Sequence, residues 1–260
     1  MIKKLIYQVY VGNTNALYDF CIESVACYCK KYNIDHIVLK EPILKIVPVD
    51  SKRSAEAINR LGYLPIYEKE NAFSYLESYD AVCIVDSDIF IMPSAPDIFD
   101  QLGEYEFAAV AERDMPITDK YRSKIKKYSH GQYSRLSDEA DFKWNTNGAE
   151  FFNMGLMLLS NKLLPYIQGQ TPEEFIKRKE FERFVNGEGD WRWSTDQTLL
   201  NYWVKKYNIH TKNLDWKWNA LYRGIKDEYL SQAYFIHFFL SVHIPKNQTA
   251  ESIIKQILSK

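Results

Sequence analysis

The chain has 260 residues, 46% of them apolar, with 33 basic side chains against 34 acidic ones and a net charge of −1. That length and apolar content suit one large α/β domain with a sizeable core and exclude wholesale disorder. The balanced charge excludes a chain built as a whole to bind nucleic acid, and no stretch approaches the roughly 18 apolar residues of a membrane span.

The start, Met1-Ile2-Lys3-Lys4-Leu5-Ile6-Tyr7, is too short and too polar for a secretion signal, so a soluble, cytoplasmic protein is expected. Residues 4–11 read as a β-rich first strand closed by Gly12. Leu17, Phe20, Cys21, Ser24, Val25 and Tyr28 recur at helical spacing, which predicts a helix behind it. A second strand is expected over residues 35–39. Strand, helix, strand opens a βαβ unit with parallel pairing. Helices are expected over residues 54–61 and 66–76, parted by Gly62 and Pro65. The run Ala81-Val82-Cys83-Ile84-Val85 is a buried strand, and Ile89-Phe90-Ile91-Met92 is a second apolar run. Between them stands Asp86-Ser87-Asp88.

A short helix near residues 95–102 and a buried strand at 107–111 come next. Residues 112–147 are polar and rich in Lys, Arg, Tyr and Ser, with little periodicity. They predict a long irregular segment of the kind that often carries function. Their lysines, Lys124, Lys126 and Lys127, read first as a solvated face. A buried strand over 151–160, helices over 172–184 and 195–207, a strand over 233–238 and a helix over 251–258 complete the chain. With no internal repeat and no linker, one domain over residues 1–260 is expected. Residues 1–110 would form a nucleotide-binding half and 111–260 an acceptor and catalytic half. The fold class is α/β, a mostly parallel central sheet flanked by helices. Cys21, Cys27, Cys29 and Cys83 lack the paired spacing of a structural zinc site and read as reduced thiols.

In an open α/β sheet, ligands bind beyond the carboxyl ends of the strands. Asp86 and Asp88 stand at such an end. Two carboxylates set two residues apart can hold a hard divalent cation from one side and leave its other side to phosphate oxygens. Unpaired and without a cation they would repel, although a pair of turn-capping carboxylates is the plainer alternative. Tyr10-Val11-Gly12 ends the first strand, where Tyr10 either stacks on a base or packs at a strand-to-helix turn. Gly155, in Phe152-Asn153-Met154-Gly155, permits close approach to the backbone. Ser194-Thr195-Asp196-Gln197 opens a helix, and Ser194 with Gln197 has the spacing of a capping box.

Taken in order, the Asp-x-Asp triplet, Phe152-Asn153-x-Gly155, Asp196-Gln197 ahead of Leu200-Asn201, and His237 on a late strand resemble glycosyltransferases of the GT-A fold. The resemblance is to glycosyltransferase family 8, the retaining enzymes that include glycogenin and bacterial galactosyltransferases. It spans about Lys4 to Lys246 and rests on ordered short motifs. It implies a Rossmann-like nucleotide-diphospho-sugar transferase fold and a metal-dependent enzyme. The donor would be a nucleotide-diphosphate sugar, UDP-linked, and the acceptor a glycan or glycoprotein, with retention of configuration.

The resemblance further implies Asp86, Asp88 and His237 as ligands of Mn²⁺ or Mg²⁺, the imidazole favouring manganese. Tyr10, Val11, Lys69, Asp86, Ser87, Gly155 and Lys246 would contact the donor. Asp196, Gln197 and Asn153 would be the catalytic groups. An inverting enzyme with Asp196 as general base, and a nucleotide-sugar binder without turnover, are the alternatives; a homodimer is left open. The chain departs from the family after His237, where Phe238-Phe239 stands in place of the usual Gly and Lys246 is displaced without a following Trp. The acceptor is expected to enter over residues 112–147 and over Trp191, Trp193, Trp216 and Trp218. A phosphatase of the haloacid dehalogenase type, which also uses Asp-x-Asp, places its motif on an early strand and follows it with Gly-Thr; this chain does neither.

Overall fold

Strand β3 (Ala81–Val85) is buried at every position. An all-apolar run of this kind belongs at the centre of a sheet covered on both faces. The computed structural model describes residues 2–12, 15–48, 58, 60–239 and 244–259, and places β3 third in a six-stranded sheet of order β2-β1-β3-β6-β5-β7. Its other strands are β1 (Lys4–Val9), β2 (Asp35–Leu39), β5 (Phe107–Ala111), β6 (Phe152–Ser160) and β7 (Thr211–Asn213). β1 pairs in parallel with β2 and β3, and β5 with β7. β6 alone runs the other way, antiparallel to both β3 and β5. The start of β6 therefore lies at the edge where β3 and β5 end, and Asp86 N–H donates to the Gly155 carbonyl at 2.7 Å.

A second, three-stranded sheet stacks strands β4 (Ile89–Ile91), β9 (Phe235–His237) and β8 (Ala220–Leu221) in that order. Ile89 faces His237 across the antiparallel β4–β9 pair, and Phe238 N–H donates to the Asp88 carbonyl at 2.9 Å. The residues of the Asp-Ser-Asp turn thus join the two sheets. Helix α1 (Ala16–Tyr32) is capped by the Asn15 side chain and ends where Asn33 turns left-handed at φ 53°. It packs chiefly on β4.

Several expectations are corrected. Residues 112–147 are not an irregular segment: they contain helix α2 (Asp119–Tyr133), capped by Thr118. Its buried stripe is Tyr121, Ile125, Ser129, Gln132 and Tyr133. The stripe has helical spacing, but tyrosines and polar groups fill most of it, so an apolar-only periodicity misses it. Residues 172–184 are not one helix. Helix α4 (Pro172–Ile176), after the short α3 (Leu164–Ile167), stops at Arg178, whose backbone is extended and whose Nη2 donates to the carbonyls of Tyr166 and Ile167. A 3₁₀ turn over Lys179–Phe181 then leads into α5 (Glu182–Asn186). Pro65–Glu77 winds as a 3₁₀ segment, and most of the helix expected over 54–61 lies outside the described residues. Helices α6 (Asp196–Lys206) and α7 (Ala250–Leu258) close the chain. No helix among the described residues is long and apolar enough to cross a membrane.

Candidate active site

The carboxyl edge of the large sheet gathers most of the residues singled out from sequence. One ligand atom each from Asp86, Asp88 and His237 lies within 4.8 Å of the others. Asp86 follows β3, Asp88 precedes β4 and His237 ends β9. His237 Nε2 is 3.1 Å from Asp88 Oδ1 and 3.8 Å from Asp86 Oδ2. Burial pushes the Asp86 carboxyl up. Burial acts the same way on Asp88, but His237 and its hydrogen bond outweigh it and hold that carboxyl below the usual range. The imidazole is raised in turn: burial lowers it, and the charge and hydrogen bond of Asp88 together with the charge of Asp86 more than offset that.

Lys69 is no surface lysine. It is buried in the 3₁₀ segment, with Nζ 2.5 Å from Asp196 Oδ2 and 3.0 Å from Asp86 Oδ1, and it donates to the Met154 carbonyl at 3.1 Å. Burial alone would lower its affinity for a proton, but Asp196 and Asp86 reverse the sign and raise it. Asp196 and Gln197 open α6, and the residue that holds this helix end in place is Asn201. Its side chain accepts from Phe152 N–H at 2.7 Å and donates to the Phe152 carbonyl at 2.8 Å, pinning α6 to β6. Gln197 Oε1 accepts from Met154 N–H at 3.2 Å. The expected capping box is absent. Thr195 caps the helix, while the Ser194 hydroxyl donates to Gln132 Oε1 at 2.7 Å. Turning Ser194 away leaves the Gln197 amide free of a capping role.

The acidic groups outnumber the bases. Asp86, Asp88, Asp196 and Glu112 line one cavity of about 470 Å³, against Lys69, Lys124 and His237. Two carboxylates and an imidazole within coordination reach of one another, in a cavity of excess negative charge, fit a divalent cation. A second cavity of about 240 Å³ shares Lys69, Asp86 and Asp88 with the first and is otherwise lined by residues such as Val9, Val11, Tyr18 and Ser87. The Asp pair therefore stands between two spaces, one at the β1 end and one against α2.

Ser87 donates its hydroxyl to the Val9 carbonyl at 2.5 Å, tying the turn to β1. Tyr10 points its hydroxyl to Asp19 Oδ1 at 2.6 Å and lines neither cavity; Tyr18, which the sequence did not single out, lines the smaller one. Lys246 is exposed on the turn before α7 and lines neither cavity. The tryptophans are also elsewhere: Trp218 is in the core and Trp193 is exposed. The wall of the larger cavity comes instead from Tyr121, Ile125 and Tyr128 of α2, with Phe239.

Gly155 has an unexpected neighbour. A Cβ there would lie 2.3 Å from His237 Cε1 and 2.8 Å from its Nδ1. Gly155→Ala is expected to drive the ring from its place, costing about 1–3 kcal/mol of stability and weakening a divalent cation held at the cluster about ten-fold or more. Urea unfolding and a Mn²⁺ titration measure the two effects, and wild-type values in both would show that the ring has room to yield.

Glu70, next to Lys69, is fully buried, and neither carboxylate oxygen has a hydrogen-bond partner among the described residues. Burial, and then the charge of Asp196, raise it well above the usual carboxylate range. A carboxyl raised on folding binds its proton more tightly in the native state. Its contribution is thus fully present below the unfolded value of about 4.3 and is lost as pH climbs toward the folded value. Glu70→Gln removes that loss. The variant is expected to melt close to wild type at pH 4 and increasingly above it toward pH 8; a constant gap across that range would refute the assignment.

No protein-family model matches the sequence, and no curated protein does. Among solved structures, an apo mouse xyloside xylosyltransferase 1 is similar at TM-score 0.52 and 10% identity, over 94% of this chain and 100% of that one. Two others are more distant. A glycosyltransferase involved in glycosylation of the major capsid of PBCV-1 is matched at TM-score 0.46 and 11% identity, over 99% and 100% of the two chains. A197 from STIV is matched at 0.37 and 10%, over 82% of each. At such identities the shared feature is the fold: a mixed α/β domain with a six-stranded central sheet flanked by helices.

Proposed function

We propose that this chain is a metal-dependent glycosyltransferase that moves a sugar from a nucleotide-diphosphate donor, a UDP-sugar, to a glycan or glycoprotein acceptor. One observation carries the reading: the Asp86–Asp88–His237 cluster stands between two cavities that share it. The fold shared with a xylosyltransferase is consistent with it.

In this reading Asp86, Asp88 and His237 would hold Mn²⁺, or Mg²⁺. Bound there, the cation would neutralise the diphosphate and stabilise charge on the departing nucleotide. Val11, Tyr18 and Ser87 line the side that the nucleotide would occupy. Lys69 bridges the turn carboxylate Asp86 and the helix carboxylate Asp196, so it fixes the distance between the metal side and the sugar side. Asp196, Gln197 and Asn153 line the larger cavity and would orient the donor sugar. Retention follows from the resemblance of Asp196-Gln197 to the retaining enzymes. Tyr121 and Tyr128 would offer aromatic faces to the acceptor.

The test is a binding and hydrolysis panel of UDP-, GDP- and TDP-sugars, each with Mn²⁺ and with EDTA. Tight binding of a UDP-sugar that EDTA removes is the expected result. If no nucleotide sugar binds with metal present, the reading is wrong. NMR of the product anomer then decides between retention and inversion.

A further inference from the structure

Asn153 sits at the centre of a buried polar chain. Its Nδ2 donates to Glu112 Oε1 at 2.7 Å. Its Oδ1 accepts from Gly155 N–H at 3.0 Å and from Asn219 Nδ2 at 2.9 Å. Asn219 Oδ1 lies 3.0 Å from His237 Nδ1. The second Glu112 oxygen accepts from the Tyr121 hydroxyl at 2.7 Å. Glu112, Tyr121, Asn153, Asn219 and His237 are all buried.

The chain has a direction. A carboxylate accepts hydrogen bonds and cannot donate them. Glu112, together with Gly155 N–H, which can only donate, makes Asn153 turn its NH₂ toward the carboxylate and its Oδ1 toward Gly155 and Asn219. Asn219 must answer with its own NH₂, and its Oδ1 then faces the imidazole. Only a protonated Nδ1 can meet that oxygen. The remaining nitrogen, Nε2, is the one that faces Asp86 and Asp88. A metal needs a lone pair on that nitrogen, and the partner of the other nitrogen decides which one carries the proton.

We propose that Glu112 is a positioning residue that, through Asn153 and Asn219, fixes the tautomer and ring orientation of His237 for a divalent cation. The proposal rests on the metal reading of the Asp86–Asp88–His237 cluster. Glu112 and Tyr121 line the larger cavity, so the chain runs from the wall facing α2 to the imidazole. Neither Glu112 nor Asn219 stands in a motif: Glu112 follows β5, and Asn219 is the residue before β8.

The experiment follows Mn²⁺ binding to the whole chain through the electron paramagnetic resonance signal of the free ion, with thermal melts alongside. It compares wild type, Glu112→Ala, Asn219→Leu and the double variant. Each single variant is expected to weaken Mn²⁺ about ten-fold or more. Because both break the same chain, the double variant should lose no more than the worse single one. A general packing role would instead lower the melting temperature and leave Mn²⁺ affinity alone. Single variants with wild-type affinity, or a double variant whose losses multiply, overturn the proposal. A wild type that binds no Mn²⁺ overturns it by removing the metal reading itself, a result distinct from variants that bind as well as wild type. Should Glu112→Ala fail to fold, Asn219→Leu, near in volume, decides alone: weakened binding supports the proposal and unchanged binding overturns it.

Discussion

On the proposed metal-dependent transfer, Asp88→Ala is expected to cut turnover of the donor by about a thousand-fold or more and to abolish its response to Mn²⁺. Asp88 is the carboxylate nearest the imidazole, at 3.1 Å, and the one held below the usual range. The imidazole beside it favours the ionised form, which is the form that coordinates a metal. The backbone hydrogen bond from Phe238 N–H to the Asp88 carbonyl does not depend on the side chain, so β4 and β9 stay paired in the variant. Rates across a Mn²⁺ series, with a melt to show that the variant folds, make the measurement. A folded variant with wild-type rates and an unchanged Mn²⁺ response would remove Asp88 from the site.

Lys69→Met is expected to be the most destabilising change at this edge, by about 3–5 kcal/mol. The lysine ammonium bridges Asp86 and Asp196, and the Asp196 side chain is 7% exposed. Removing the cation leaves a buried carboxylate beside Glu70 and Asp86 without the charge that offsets it. Urea unfolding reads the loss. The double change Lys69→Met with Asp196→Asn removes both charges and should recover much of it, since a buried pair deleted whole costs far less than one deleted by half. A loss below about 1 kcal/mol in the single variant would mean that water reaches Asp196 in place of the lysine.

The sheet was legible where the sequence is monotonous. The five apolar residues of β3 and the apolar start of β1 can only be buried strands, and their order set the βαβ opening. Reading direction was harder. Nothing in Phe152–Ser160 says that β6 runs against its neighbours, because a strand buried on both faces looks the same from either end. Helix α2 was hidden by composition, its inward stripe being largely tyrosine and polar groups.

At the site, Asp86, Asp88, His237, Asp196 and Gln197 were singled out because short motifs carry them, and all five line one cavity. Asn201 was carried by the Leu-Asn pair that follows Asp196-Gln197, but its hold on β6 was not legible, and Glu112 and Asn219 were not singled out. Each is a polar residue whose role comes from a partner far along the chain, as with Asn201 and Phe152, and local spacing holds no record of such a pairing. One signal was present: Asn201 falls four residues after Gln197 on α6, so it shares that residue's face.

The turn at residues 86–88 leaves the six-stranded sheet and enters the three-stranded one, so the candidate ligands straddle two sheets that are hydrogen-bonded separately. An ion gripped by Asp86 on one side and His237 on the other would act as a removable rivet between segments distant in sequence. Closing so long a loop restricts the opened chain far more than the closed one. The metal would then be felt beyond chemistry. Amide hydrogens of β4, β8 and β9 should exchange more slowly with Mg²⁺ bound, while those deep in β3 should hardly change, because their opening already requires the whole domain to unfold.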